Sequence, residues 1–243
     1  MILDIFKYSL EYSIKDKIAF FKLSALSIIS FLIIPYIIIE GYCYRIINIQ
    51  LVSFINADDP LPSYNNIKKL LIQGIKIIVI KFIYSIPIII AMALSFSTII
   101  NINQNGATID ISSEALLIIF LFILGFLTFM FSKTAIVHMV YKKSITSGFN
   151  IKEIISLIKD IKVINYFYFF ISYIVLIMAI LVGIFLLGAF IGSIFGFNYI
   201  PVNFYIGILG LDITIIFLVY ILIVYPLLKI FESRAISSLY NMR

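Results

Sequence analysis

Glu40 and Arg45 stand inside the stretch IIPYIIIEGYCYRIINIQ, residues 33–50, with Tyr42 and Tyr44 beside them. A charge at membrane depth costs about 2.5–3.5 kcal/mol on insertion scales, so an acid and a base in such surroundings mark a candidate polar or lipid-headgroup site. The two are five residues apart, poor spacing for a direct pair on one helix face. Arg45 flanked by Tyr42 and Tyr44 suits a lipid phosphate. The plainer alternative is an interfacial arginine in an aromatic belt. Lys133 and His138 are the second candidate pair. They lie roughly 140° apart round a helix. A histidine there suits a proton relay or a headgroup contact, and the alternative is a snorkelling lysine beside an interfacial histidine.

Other chemistry is thinly represented. The chain has one histidine and one cysteine, Cys43, and no HExxH pattern. No internal disulfide, metal site or cofactor is expected from that inventory. Ser147-Gly148 lacks the flanking glycine of a nucleophile elbow. Asp58-Asp59 next to Pro60 make a turn more readily than a cation site. Asp212 sits where the last crossing begins, a position that favours an acid for electrostatic reasons alone. No catalytic residue is assigned, and the chain is read as not an enzyme.

The elements that must carry these side chains are apolar helices. Of 243 residues, 63% are hydrophobic and 12% charged, against about 25% charged in soluble domains. Mean hydropathy is +1.16. These values and several long apolar runs predict an all-α, polytopic membrane protein, residues 1–243 forming a single transmembrane domain. The formal net charge of +6 comes without a long Lys/Arg block, so nucleic acid is not an expected partner. Charges at Asp4, Lys7, Glu11 and Lys15 precede any long apolar run, so no cleavable signal peptide is expected.

Residues 2–18 read as an amphipathic helix, with Leu3, Phe6, Leu10 and Ile14 on one face and Asp4, Lys7, Glu11 and Lys15 on the other. A second such helix covers 66–76 after an Asn66 cap, and a third covers 151–161 after Asn150. Apolar runs predict crossings over 23–39, 77–96, 115–130 and a little beyond, 166–191 and 208–228, with Lys81 near the start of its span and free to snorkel. The stretches at 13–22, 66–76 and 150–162 share a capping residue, Ile-Lys and an amphipathic turn, a weak repeat. Gly188 and Gly192 make a GxxxG that permits close helix approach.

Lysine placement predicts orientation. The 101–114 and 192–206 loops carry no Lys or Arg, whereas 132–165 and the C-terminal tail with Lys229, Arg234 and Arg243 are basic. The basic segments and the C-terminus are therefore expected on the cytoplasmic side of a cell membrane. With the N-terminal helix also cytoplasmic, residues 20–55 must cross twice or not at all; a double crossing gives legs of about 17 residues and roughly 25 Å each, breaking at Pro35. That gives about six membrane segments, or five if residues 20–55 cross once.

Several of these stretches resemble the DUF4013 family of uncharacterised, mainly archaeal, integral membrane proteins. GYCYRI at 41–46 is similar to that family's Gly-Tyr-x-x-Arg element. DDPLPSYNNIKKLLIQGIKIIVIKFIYSIP at 58–87 and HMVYKKSITSGFNIKEI at 138–154 resemble two more of its runs. Tyr64-Asn65-Asn66 stands where the family often has an acidic-aromatic start. The resemblance implies a membrane location and brings no activity or catalytic residue.

Three functions fit these observations. The first is a non-enzymatic scaffold, partner subunit or lipid-organising protein, whose partners are membrane lipids and a membrane protein. The second is a small transporter or permease with a polar site near Glu40 and Arg45. The third, with least support, is an intramembrane lipid-modifying enzyme. A transporter predicts an enclosed polar cavity reaching both Glu40 and Arg45; a scaffold predicts a packed bundle with lipid-facing grooves.

Overall fold

The computed structural model describes residues 2–54, 59–104, 111–194 and 216–243. Every regular element among the described residues is helical: α1 (Ile2–Ile14), α2 (Lys17–Ile28), α3 (Ile33–Gln50), α4 (Ile67–Gln104), α5 (Ile111–Lys142), α6 (Ile151–Asp160), α7 (Val163–Ile194) and α8 (Ile216–Tyr240).

Among the described residues four helices, α4, α5, α7 and α8, are long and apolar enough to cross a bilayer. This is fewer than the expected six or five, and residues 20–55 account for the difference. The 12 residues of α2 span roughly 18 Å, well short of the hydrocarbon core. The 18 residues of α3 are long enough but are diluted by Glu40, Arg45, Asn48 and Gln50. The break falls at 29–32, not at Pro35. Pro35 sits in the first turn of α3, where its missing N–H deprives no carbonyl.

Local signals explain most helix ends. Asp16 caps α2, accepting hydrogen bonds from the Ile18 and Ala19 N–H groups at 2.9 and 3.1 Å. Asn66 accepts from Lys69 N at 3.1 Å to open α4, and Asn150 accepts from Glu153 N to open α6. The three stretches of the weak repeat nonetheless become different things: a junction of two helices, the start of a long span, and a short separate helix. No breaker separates 67–76 from the residues that follow, so the expected surface helix and crossing are one helix, α4, which also carries Pro87 in its interior. In α8, a wide π turn at Tyr220–Val224 precedes Pro226, which cannot donate to the preceding turn.

The most apolar stretches of the four spans are only 11% to 22% buried within the protein, so these stretches leave most of their surface for lipid. Packing concentrates at the other end, where α1, α2, α3 and α6 surround the inner halves of α4, α5, α7 and α8. There α3 and α4 lie antiparallel in direct backbone contact. A Cβ on Gly41 would overlap the Leu70 carbonyl, and one on Gly74 the Ile37 carbonyl. Rings hold α7 in place instead: Phe129 of α5 meets Phe170 and Tyr173, and Phe6 of α1 meets Phe169.

The α1 helix keeps most of its apolar stripe outward, as an interfacial helix would. Ile5, Ser9, Tyr12 and Ser13 are buried, while Leu3, Leu10 and Ile14 point outward. α1 packs along the second half of α8, whose buried face also carries serines. Small side chains let helices approach closely. Several of their hydroxyls are satisfied within the helix, Ser13 donating to Ser9 O at 2.7 Å and Ser237 to Ser233 O at 2.5 Å, whereas the buried Ser9 Oγ makes no hydrogen bond. The apolar stripe of α1 thus remains available to the bilayer. Gly188 of the GxxxG meets the Ile216 side chain of α8, an intramolecular contact.

Candidate functional site

Five charged side chains from four helices converge in the interior: Glu40 (α3), Lys81 (α4), Lys133 (α5), and Lys229 and Glu232 (α8). Glu40 is 2% exposed and bridges two ammonium groups, accepting from Lys229 Nζ at Oε1 and from Lys81 Nζ at Oε2, each at 2.6 Å. Lys133 pairs with Glu232 alongside. The α8 residues are three apart, hence on one helix face. Between the five lies a cavity of ≈ 30 Å³, also lined by Cys43, Ser233 and apolar side chains. That volume holds about two water-sized bodies.

The depth of the cluster follows from helix rise. The inner ends of α3 and α8 are level, since Asn241 Nδ2 donates to Gln50 O at 2.8 Å. The α5 end lies beside them, His138 Nδ1 being 2.9 Å from the Tyr240 hydroxyl. Counting back along α3, α5 and α8 places Glu40, Lys133 and Lys229 roughly 13–17 Å inside that end. Ions so far from water are held by one another. Removing both members of a buried pair is often neutral, whereas removing one is costly.

Of the six candidate residues read from sequence, the structure brings two together, Glu40 and Lys133. Tyr42 is buried and stacked on Tyr64, ring centroids 4.4 Å apart. Tyr44 is packed in the core. Arg45 donates to the carbonyls of Ser63 and Asn66 and, at 3.2 Å, to Gln73 Oε1. It ties the 59–66 loop to α3 and does not face the cavity, so the expectation of one cavity reaching both Glu40 and Arg45 is not met.

His138 belongs to a separate network at the inner end. Its Nε2 lies 2.9 Å from Glu153 Oε2, and Tyr240 on its other side accepts from Arg243 Nη1 at 2.9 Å. Glu153 also accepts from Asn150 Nδ2 at 2.8 Å and lies near Lys142. The hydrogen bond from His138, followed by the nearby Lys142 charge, holds the Glu153 carboxyl below its ordinary value. A depressed carboxyl stabilises the fold above the ordinary glutamate range and loses that contribution as pH falls through it. Glu153→Gln is therefore expected to flatten the acid limb of a thermal-stability profile, read as Tm at stepped pH, while leaving Tm at pH 8 within a few degrees.

Sequence reasoning missed Lys81, Lys229 and Glu232. Lys81 was assigned to snorkelling. Lys229 and Arg234 were assigned to a basic tail because the apolar run ends at Leu228. α8 instead continues to Tyr240, and Arg234, 1% exposed, pairs with Asp59 at 3.2 Å and lies over the Tyr12 ring. Burial there pushes the Tyr12 phenol up to about 12. The available signal was the i, i+3 spacing of Lys229 and Glu232, together with single lysines in two otherwise apolar helices. Asp59 serves as the Arg234 partner; Asp58, Asp212 and most of the two loops without Lys or Arg lie outside the described residues.

A family model described as "Protein of unknown function (DUF4013)" matches residues 25–192. The chain belongs to the DUF4013 family. The DUF4013 match takes in Glu40, Lys81 and Lys133, whereas Lys229 and Glu232 lie beyond it. No curated protein and no solved structure matches this DUF4013 chain.

Proposed function

We propose that this protein is a non-enzymatic, multi-pass membrane component that organises anionic lipid around an ion-paired helical core. Two apolar grooves carry the proposal. One, of ≈ 440 Å³, runs between α1, α7 and α8 past Phe6, Leu10, Leu176 and Leu227, with Lys7 at its edge. The other, of ≈ 700 Å³, lies between α2 and α8 past Phe20, Phe21 and Ile28, with Lys17 at its edge. Both include Ile223, so they form one continuous flank. Apolar channels edged by exposed ammonium groups suit acyl chains beneath an anionic headgroup. The same lysine bias supports an inner, cytoplasmic placement of this end and of the C-terminus.

Each basic side chain near an anionic surface contributes about 1 kcal/mol, or roughly fivefold in affinity. Purified from membranes and exchanged into nanodiscs of mixed phosphatidylglycerol and phosphatidylcholine, the protein is expected to enrich phosphatidylglycerol in its retained lipid. Lys7→Gln/Lys17→Gln is expected to reduce that enrichment by about 25-fold. Equal retention of the two lipids by the wild type would overturn the proposal. A transporter is the second reading, favoured by the charge cluster at membrane depth. Against it stand the ≈ 30 Å³ of the cavity and the engagement of Arg45 with loop carbonyls.

A further inference from the structure

The charge cluster does not balance. Lys81, Lys133 and Lys229 bring three positive charges, and Glu40 and Glu232 two negative ones. No other Asp, Glu, Lys, Arg or His lines the cavity. The hydrogen-bond inventory leans the same way. An ammonium carries three donors, and the carboxylate bond of each of these lysines uses one. Ser233 Oγ donates to Lys229 O at 2.8 Å and Cys43 Sγ to the same carbonyl at 3.9 Å, so these two groups bring no negative charge to the cavity. One cationic charge is therefore in surplus around a small interior space, where an uncompensated ion costs several kcal/mol.

We propose that this cluster is a binding site for one small monovalent inorganic anion, of the size of chloride. The cavity of ≈ 30 Å³, with room for about two water-sized bodies, accommodates one halide-sized ion. Lys81, the most exposed member at 24% of its side chain, stands at the mouth, and Glu40, at 2%, forms the floor. An anion in the cavity would offset the surplus charge, taking N–H donors from Lys81 at the mouth together with whichever of Lys133 and Lys229 faces it. The site is independent of the lipid grooves, which lie on the α1–α2 flank.

The test uses the purified full chain in nanodiscs, with sodium chloride exchanged against sodium gluconate at constant ionic strength. Ligand linkage at about ten times Kd is expected to raise Tm by about 4 °C, saturating with chloride. The response should follow the formal charge of the cluster and not the identity of one residue. Lys133→Gln brings the cluster to zero and should lose the chloride response. Lys133→Gln/Glu232→Gln restores a charge of +1 and should regain it. Lys81→Gln, also neutral, replaces the first comparison if Lys133→Gln does not fold. Superimposable wild-type profiles in chloride and gluconate would overturn the proposal, and so would a chloride response that persists in the neutral variants.

Discussion

Glu40→Gln is expected to remove most of the folded protein. The amide keeps the shape of the side chain and removes the charge that Lys81 and Lys229 share, each at 2.6 Å. Two ammonium groups are then left facing each other across a neutral acceptor, and the cluster rises to a formal charge of +2. Breaking a buried ion pair by removing one partner costs about 3–5 kcal/mol, against typical whole-protein stabilities of about 5–15 kcal/mol. Water cannot enter in quantity to screen the pair, because the cavity is only ≈ 30 Å³. Fluorescence-detected size-exclusion after graded heating would read the effect as loss of the monodisperse peak, or a fall of more than 10 °C in its midpoint. The matching variant Glu40→Leu/Lys81→Met/Lys229→Met removes all three charges and replaces them with apolar volume. It is expected to recover most of the wild-type midpoint, because a buried charge network contributes little net stability over a well-packed apolar one. A wild-type midpoint for Glu40→Gln would mean that the carboxyl is not the bridge its geometry indicates.

The charges that make this cluster show where the sequence was informative and where it was not. Glu40 and Lys133 were recognisable because each interrupts an apolar helix, and a charge in that setting must find a partner or water. The partner could not be read, since Glu40 and Lys229 are separated by 189 positions and only the packing of α3 beside α8 brings them together. Lys229 and Glu232 follow an apolar run that ends at Leu228, and the natural inference was an exit to water. What overrides that inference is the tertiary packing: Glu40 of α3 and Lys133 of α5 pair with Lys229 and Glu232, and α1 packs its Ser9 and Ser13 face along the rest of α8. The same packing leaves Leu3, Leu10 and Ile14 outward, as an interfacial helix requires. Helix caps were legible because they are local; Asn66 and Asn150 act within three residues of themselves. The count of spans was not, because it rested on the parity of lysine sides and assigned 20–55 two crossings, whereas α2 and α3 break at 29–32 into a short helix and a polar one.

Gly74→Ala carries the second large expected effect, and it tests how the cluster is held. A methyl at this position would overlap the Ile37 carbonyl, which belongs to the backbone of α3 and cannot swing aside. The helices must therefore part. Gly41 makes the reciprocal contact with Leu70 O, so the movement opens the whole α3–α4 seam, including the hydrogen bond from Arg45 to Gln73. Overpacking a tight contact costs about 1–3 kcal/mol, occasionally more, and a backbone clash belongs at the upper end, about 3 kcal/mol. Gly183→Ala is the control. Nothing lies within 4 Å of a Cβ there, and alanine favours a helix over glycine by up to about 1 kcal/mol, so its midpoint should stay level or rise. Because Glu40 and Lys81 sit on the two helices that Gly74→Ala drives apart, the two kinds of damage share a cause. The combination of Gly74→Ala with Glu40→Gln should cost less than the sum of the single changes, a coupling of about 1 kcal/mol or more. Strict additivity would separate the glycine seam from the charge cluster and show that α3 is positioned by its contacts with α8 instead.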